Sequence, residues 1–167
     1  DTSEAKAESP AMVTALASEL GASFTVYVEV PVKDDPASLL QAVHRAGLRA
    51  KIRTGGVTAD AFPTPAEVLR FLATCAALDL PFKATAGLHH PLRGDYPLTY
   101  AKDSAQGTMY GFLNVFLASL LLRKGLSTTD VAPLLEERDH RSIVITDDGI
   151  TWRGRRVTLH EVAAARA

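Results

Sequence analysis

The sequence predicts an α/β fold of the (β/α)8, TIM-barrel-like kind, present as the C-terminal part of such a barrel, and three observations predict it. Between Phe24 and Ala86 the chain alternates strand, helix, strand, helix, strand with short connections, an order that favours a parallel sheet with right-handed crossovers. The strands are apolar on one parity only. Phe24, Val26, Val28 and Val30 oppose Tyr27 and Glu29; Ala50 and Ile52 oppose Lys51 and Arg53; Phe82, Ala84 and Ala86 oppose Lys83 and Thr85. An open parallel sheet covered on both faces reads apolar on both parities, whereas a barrel strand has one face on helices and one in the lumen. Glu29, Lys51, Arg53, Lys83 and Thr85 would then converge on the C-terminal mouth, where barrel chemistry resides. A full barrel takes about 250 residues. The 167 residues here hold three clear βα units and a fourth distorted by an inserted β-hairpin, so three or four units of the C-terminal part are expected, in a single α/β domain. A small open parallel α/β sheet is the alternative.

Each element has a local reason. Residues 11–20 form an amphipathic helix that starts after Ser9-Pro10 and stops at Gly21. Phe24 to Val32 is rich in β-branched and aromatic residues and reads as a strand. Asp35-Pro36 supplies an N-cap and a first-turn proline for a helix through Ala46, which Gly47 ends. Leu48 to Thr54 is the second strand. Thr64-Pro65-Ala66-Glu67 is a capping box opening a helix to about Leu80. Phe82 to Ala86 is the third strand, completing a βαβαβ core over 24–93. Residues 94–107 have no clear period and read as a long loop, a feature that is usually functional or mobile. Helices follow over about 108–124 and 128–138, and the apolar run Gly111 to Leu122, broken by Asn114 and Ser119, marks the first as buried. Asp147-Asp148-Gly149 suits the turn of a β-hairpin within 143–157. Thr158 and Glu161 form a second capping box for a C-terminal helix over 158–167.

Composition narrows the function classes. With 47% hydrophobic and 22% charged residues and a formal net charge of -1, there is no electrostatic case for a nucleic-acid or anionic-membrane partner. The longest apolar run falls short of the roughly 20 residues a bilayer span needs. Cys75 is the only cysteine and lies in an apolar helical stretch, which fits a reducing cytoplasm.

Two segments carry the candidate chemistry: Ala50-Lys51-Ile52-Arg53-Thr54-Gly55-Gly56 and Phe82-Lys83-Ala84-Thr85-Ala86-Gly87. Each sets a lysine within a parallel strand that ends in glycine, an unfavourable place for a charge unless the strand lines a polar site. A lysine attacks a carbonyl only when unprotonated, and a second cation in a desolvated mouth disfavours the charged form. Lys51, Lys83 and Glu29 are therefore the candidate catalytic residues, with Glu29 as counter-ion or proton shuttle and Arg53 as a further cation or anion ligand. Arg53, Thr54, Gly55, Gly56, Thr85, Gly87, His89, His90 and Arg93 are the candidate substrate-binding residues. The Gly55-Gly56 backbone is read as a tight turn that also approaches an anion.

The stretch from about Phe24 to Arg93 resembles the fifth to seventh strands of class I aldolases of the deoxyribose-phosphate aldolase type. Val26-Tyr27-Val28-Glu29, then Lys51-Ile52-Arg53-Thr54-Gly55, then Lys83-Ala84-Thr85-Ala86-Gly87 carry the resemblance. It implies Lys51 as the Schiff-base nucleophile and Lys83 as the cation that depresses its pKa. The acidic partner that this family draws from an earlier strand is expected outside the chain. The Arg-Thr-Gly-Gly and Leu-His-His-Pro segments are also similar to a group of uncharacterised bacterial barrel proteins.

The expected activity is lyase or aldolase-like, acting on a small phosphorylated or carboxylated carbonyl compound, with no cofactor and no metal. Two readings stand beside it. One is a non-catalytic barrel domain in which Lys51 and Lys83 pair with carboxylates to fill a lumen, assembling with a second copy or a missing N-terminal half-barrel. The other is a metal-dependent hydrolase centred on Glu29, His89 and His90. His44 and His160 read as surface, Asn114 as a buried polar contact one turn from Tyr110, and Arg153, Arg155 and Arg156 as a solvated basic end of the hairpin.

Overall fold

Four parallel strands stand side by side in the order of the sequence: β1 (Thr2–Lys6), β2 (Thr25–Glu29), β3 (Arg49–Arg53) and β4 (Phe82–Thr85). The computed structural model of the chain describes residues 2–20 and 23–165. Helices α1 (Pro10–Leu20), α2 (Ala37–Arg45) and α3 (Pro65–Ala77) make the crossovers. A fourth, α4 (Phe112–Arg123), follows β4 and packs beside α3, so four βα units are present where the sequence shows three clearly. The mixed α/β class and the parallel sheet are as expected.

The β1 strand is the element the sequence reading misses. Thr2-Ser3-Glu4-Ala5-Lys6 has little β-branched or aromatic character, and it is held by its full register with β2, from Thr2 opposite Thr25 to Lys6 opposite Glu29. A strand of low propensity is stabilised here by its neighbour and by burial of Ala7 at its end. The expected end of α1 at Gly21 lies outside the described residues. Thr64 and Glu67 cap α3 reciprocally, and Asp35 Oδ1 accepts from the Ala37 N–H at the start of α2 at 3.0 Å.

One sheet face is the core. Val26, Val28, Ala50 and Ile52 are fully buried beneath Leu40, Val43, Val68, Phe71, Leu72 and Cys75. The burial pushes the Cys75 thiol up to about 12, so it is an inert packing group. The opposite parity is polar, which is why the two parities of the sequence differ so sharply.

Beyond β4 the structure corrects two expectations. Residues 94–107 are not a plain loop: β5 (Gly94–Pro97) and β6 (Gln106–Met109) pair antiparallel. The expected hairpin is a three-stranded antiparallel sheet, β7 (Ile143–Thr146), β8 (Gly149–Trp152) and β9 (Arg155–Thr158). Gly154, at φ +77°, makes the second turn between Trp152 and Arg155. Helices α5 (Thr128–Leu135) and α6 (Leu159–Ala164) complete the chain, the latter with its capping box in place. Arg155 and Arg156 pair with Asp130 and Asp148. Among the described residues no helix is long and apolar enough to cross a membrane.

Two buried polar residues join this second half together. Asn114, fully buried on α4, accepts from the Arg93 N–H at 2.8 Å and donates to the carbonyls of Leu134 and Glu137 at 2.7 and 2.9 Å. Glu137 accepts from Trp152 Nε1 at 3.2 Å and Arg153 at 3.0 Å. Asn114→Ala leaves the Arg93 N–H and the Glu137 carbonyl without this partner, each worth about 1 kcal/mol or more when left unpaired, while the Leu134 carbonyl keeps the Glu137 N–H. We expect a loss of about 2 kcal/mol in urea unfolding; an unchanged midpoint would show that Asn114 is not the tie described.

Candidate functional site

Alternation along the strands places Glu4, Lys6, Tyr27, Glu29, Arg49, Lys51, Arg53, Lys83 and Thr85 on the polar face. Lys6, Glu29, Lys51 and Lys83 form a single row across all four strands. Lys51 sits in the middle with only 11% of its side chain exposed. Its ammonium donates to Glu4 Oε2 at 2.6 Å and lies 2.9 Å from Glu29 Oε2. Glu4 accepts from Lys83 through its other oxygen. Lys83 also stands 4.1 Å from the centre of the Tyr27 ring, a cation–π contact. Lys6 and Arg53 flank Glu29 at 3.6 and 3.9 Å.

The contact between Glu4 and Lys83 fixes the shape of the sheet. These residues lie on the first and fourth strands, about 14 Å apart in a flat sheet, and are offset by two residues in register. Their direct hydrogen bond requires the sheet to curl with the polar face inward. The polar face is concave.

The electrostatics follow from these contacts. Hydrogen bonds from Lys51 and then Lys83 hold Glu4 down at about 2. Burial pushes Glu29 up, but its contact with Lys51, aided by Lys6 and Arg53, outweighs burial and the net shift is downward. Lys51 moves upward, because the hydrogen bonds to Glu4 and Glu29 outweigh its desolvation. This reverses the expectation that Lys83 depresses the pKa of Lys51. Lys83 is turned to Glu4, and the nearest charges to Lys51 are carboxylates. Glu4 is a member of this cluster that the sequence reading missed. The available signal was the Glu4/Lys6 parity just ahead of the Ser9-Pro10 helix start.

The other expected binding residues divide. Arg53, with 54% of its side chain exposed, lines an open pocket of about 300 Å³ at the C-terminal ends of β1 to β3, together with Lys6, Lys33, Glu8, Glu29, Asp60 and Glu67. Lys51 and Lys83 do not line that pocket; they lie on the concave face beside it. Thr54 is fully buried and its hydroxyl donates to the Ala86 carbonyl at 2.6 Å, while the Thr85 hydroxyl sits 3.5 Å from the Ile52 carbonyl. Both tie strand ends. Gly55 and Gly87 pack against each other under Phe62: a Cβ on Gly55 would meet Phe62 Cε1 at 2.6 Å and Gly87 Cα at 3.0 Å. Gly87 also has φ +72°, a conformation that favours glycine. Close packing accounts for these glycines. A Cβ on Gly56 would meet Ala61.

His89 is exposed, His90 stacks on Tyr96 with centroids 3.5 Å apart, and Arg93 lies over the Tyr110 ring. Among the described residues no three His, Cys, Asp or Glu side chains gather as a metal-holding group; Glu29 is engaged by Lys51, and the two histidines make no such set with it. No protein-family model, curated protein or solved structure matches the chain.

The shifts set a pH dependence. Glu4 falls from an ordinary value of 4.5 to about 2, so its stabilising contribution is present above 4.5 and is lost as pH drops toward 2. Lys51 rises above its ordinary 10.5, so its contribution is complete below 10.5 and disappears as pH climbs through the higher folded value. Urea unfolding across pH should show both flanks, and Glu4→Gln should flatten both at once. Flanks that persist unchanged in Glu4→Gln would mean the cluster does not exist in solution.

Proposed function

We propose that the curled sheet is half of a (β/α)8 barrel and that its concave face is the active face of a class I aldolase-like lyase, with Lys51 as the imine-forming nucleophile. The observation that carries the reading is the Glu4–Lys51–Glu29 cluster: a largely buried lysine with two carboxylates at hydrogen-bond distance and a second lysine on one of them. Its resting ammonium must lose a proton before attack. Glu4 at 2.6 Å and Glu29 at 2.9 Å are placed to take it, as an adjacent base activates other nucleophiles. The free amine adds to the substrate carbonyl carbon to give a carbinolamine, and a carboxyl group returns the proton to the departing hydroxyl so that water and a protonated imine result. The iminium then draws electrons from the neighbouring carbon–carbon bond.

The substrate class follows from the charges on this face. Lys6, Arg49, Lys51, Arg53 and Lys83 outnumber Glu4 and Glu29, which favours a small carbonyl compound bearing a phosphate or carboxylate. Arg53 and Lys6, at the rim of the 300 Å³ pocket, are the ligands for that anion. Glu4 plays the part of the acidic partner from an earlier strand in the resembled family.

The full pairing of Lys51 also favours a second reading, a non-catalytic barrel domain in which these charges only fill the lumen. Borohydride trapping separates the two. The protein is incubated with small aldehydes, ketones and sugar phosphates, reduced, and mapped by peptide mass spectrometry. We expect an adduct on Lys51 whose yield rises with pH, is absent in Lys51→Met, and appears at lower pH in Glu4→Gln, because removing that carboxylate lowers the lysine pKa. No adduct at any pH, with Lys51→Met lowering only stability, assigns the cluster to the structural reading.

A further inference from the structure

Lys83 lies on β4, yet the two groups it touches belong to the far strands of the sheet. Glu4 and Tyr27 stand opposite each other on β1 and β2. They are level with Arg49, two residues short of the row that holds Lys51 and Lys83. The Lys83 side chain therefore leans back across β3, until its ammonium donates to Glu4 Oε1 and stands 4.1 Å from the centre of the Tyr27 ring. There it meets Lys51, which holds the other oxygen of Glu4. Like charges on adjacent strands repel. With 30% of the Lys83 side chain exposed, solvent offers it a position away from Lys51.

The ring offsets that repulsion. The face of a tyrosine attracts an ammonium group through its quadrupole, and this ring is itself fixed, because Arg49 Nη1 donates to the Tyr27 hydroxyl at 3.2 Å from the neighbouring strand. Two groups thus hold Lys83, one carboxylate and one aromatic face. Only the carboxylate is shared with Lys51.

We propose that Tyr27 is a positioning residue of this site: its ring keeps Lys83 where it takes one oxygen of Glu4, and so limits Lys51 to the other. Tyr27 touches no reacting atom and acts through Lys83 and Glu4. The charged and titratable groups around Lys51 are Glu4 and Lys6 on β1, Tyr27 and Glu29 on β2, Arg49 and Arg53 on β3 and Lys83 on β4. Glu4 is the one that divides its two oxygens between the lysines. When Lys83 is released, both oxygens turn to Lys51, and its ammonium is held more firmly against loss of a proton. The consequence at Lys51 rests on the lyase reading; the hold on Lys83 does not.

An NMR titration of the side-chain carboxyl groups tests this, with Glu4 assigned from Glu4→Gln. Lys51 and then Lys83 hold Glu4 down at about 2. Tyr27→Leu should raise it by about half a unit, toward the ordinary 4.5. Tyr27→Phe keeps the ring and should leave Glu4 in place. No rise in Tyr27→Leu overturns the proposal, because Glu4 then holds Lys83 unaided. An equal rise in both variants also overturns it, since the hydroxyl and Arg49 would then be responsible. If Tyr27→Leu does not fold, the unaltered protein decides: the ring current of Tyr27 should move the Lys83 ε-methylene protons upfield, and ordinary shifts overturn the contact. Where the unaltered protein forms the Lys51 adduct under borohydride, Tyr27→Leu should need a higher pH for the same yield, and an unmoved profile overturns the proposal. A failure of trapping in the unaltered protein removes the lyase reading alone and leaves the Glu4 titration to decide the role of Tyr27.

Discussion

One carboxylate shared by two lysines organises the polar half of this protein. Glu4 reaches from the first strand to Lys51 on the third and Lys83 on the fourth, and Glu29 closes on Lys51 from the second. The alternative, two ammonium groups on adjacent strands in one row without a counter-ion, would be repulsive. The carboxylates turn that repulsion into a cross-strand clasp, and the clasp requires the sheet to curl. Curvature, polarity of the inner face and position of the candidate site are thus consequences of one set of contacts.

The same contacts decide which parts were legible in the sequence. Alternation made the two faces of β2, β3 and β4 readable, because burial under helices tolerates only Val26, Val28, Ala50 and Ile52 on one side. Capping residues were equally clear, since Thr64 with Glu67 and Thr158 with Glu161 act within one helical turn. The β1 strand was not legible, because Thr2 to Lys6 form a strand through pairing with β2 rather than through their own propensity. With β1 went Glu4, so the pKa of Lys51 was read with the wrong sign: a second lysine one βα unit away is visible in sequence, but the carboxylate between them is not. Thr54, Gly55 and Gly87 illustrate the converse. They look like ligand-binding residues in a strand-end motif, yet the hydroxyl is taken by a carbonyl and the glycines are pressed against each other by Phe62, contacts that depend on three separated segments meeting.

A lysine held charged by two carboxylates is a poor nucleophile at rest, and this bears on how such a site would operate. The upward shift comes first from the hydrogen bonds to Glu4 and Glu29, which outweigh desolvation, so it is reversible by anything that redirects Glu4 or Glu29. Under the proposed function, an anionic substrate group at Arg53 and Lys6 would compete with Glu29 for its two flanking cations. Glu4 is the more exposed partner, with 48% of its side chain accessible against 13% for Glu29. Turning Glu4 toward Lys83 alone would free one hydrogen-bonding position on Lys51 without leaving either charge unpaired. The network is therefore compatible with a gated amine in a way that a lysine buried with a single fixed partner would not be.

The inner face also constrains what surrounds it. A concave surface bearing five cations and two carboxylates is favourable in water or in a lumen lined by further polar groups, and unfavourable against an apolar layer, where unpaired charges would lose hydration. Among the described residues, Tyr27 and Arg49 of this face line a groove shared with two helices, α4 and the end of α6. Apolar surface is left uncovered elsewhere, at the two sheet edges, on Met12 and Phe112 and along Phe82 and Ala84. Burying the open face under a sheet or helix would cost these charges their hydration, whereas covering the edges would remove from water only apolar side chains and backbone groups ready to pair. The distribution of apolar and charged surface thus sets the sheet edges apart from the concave face.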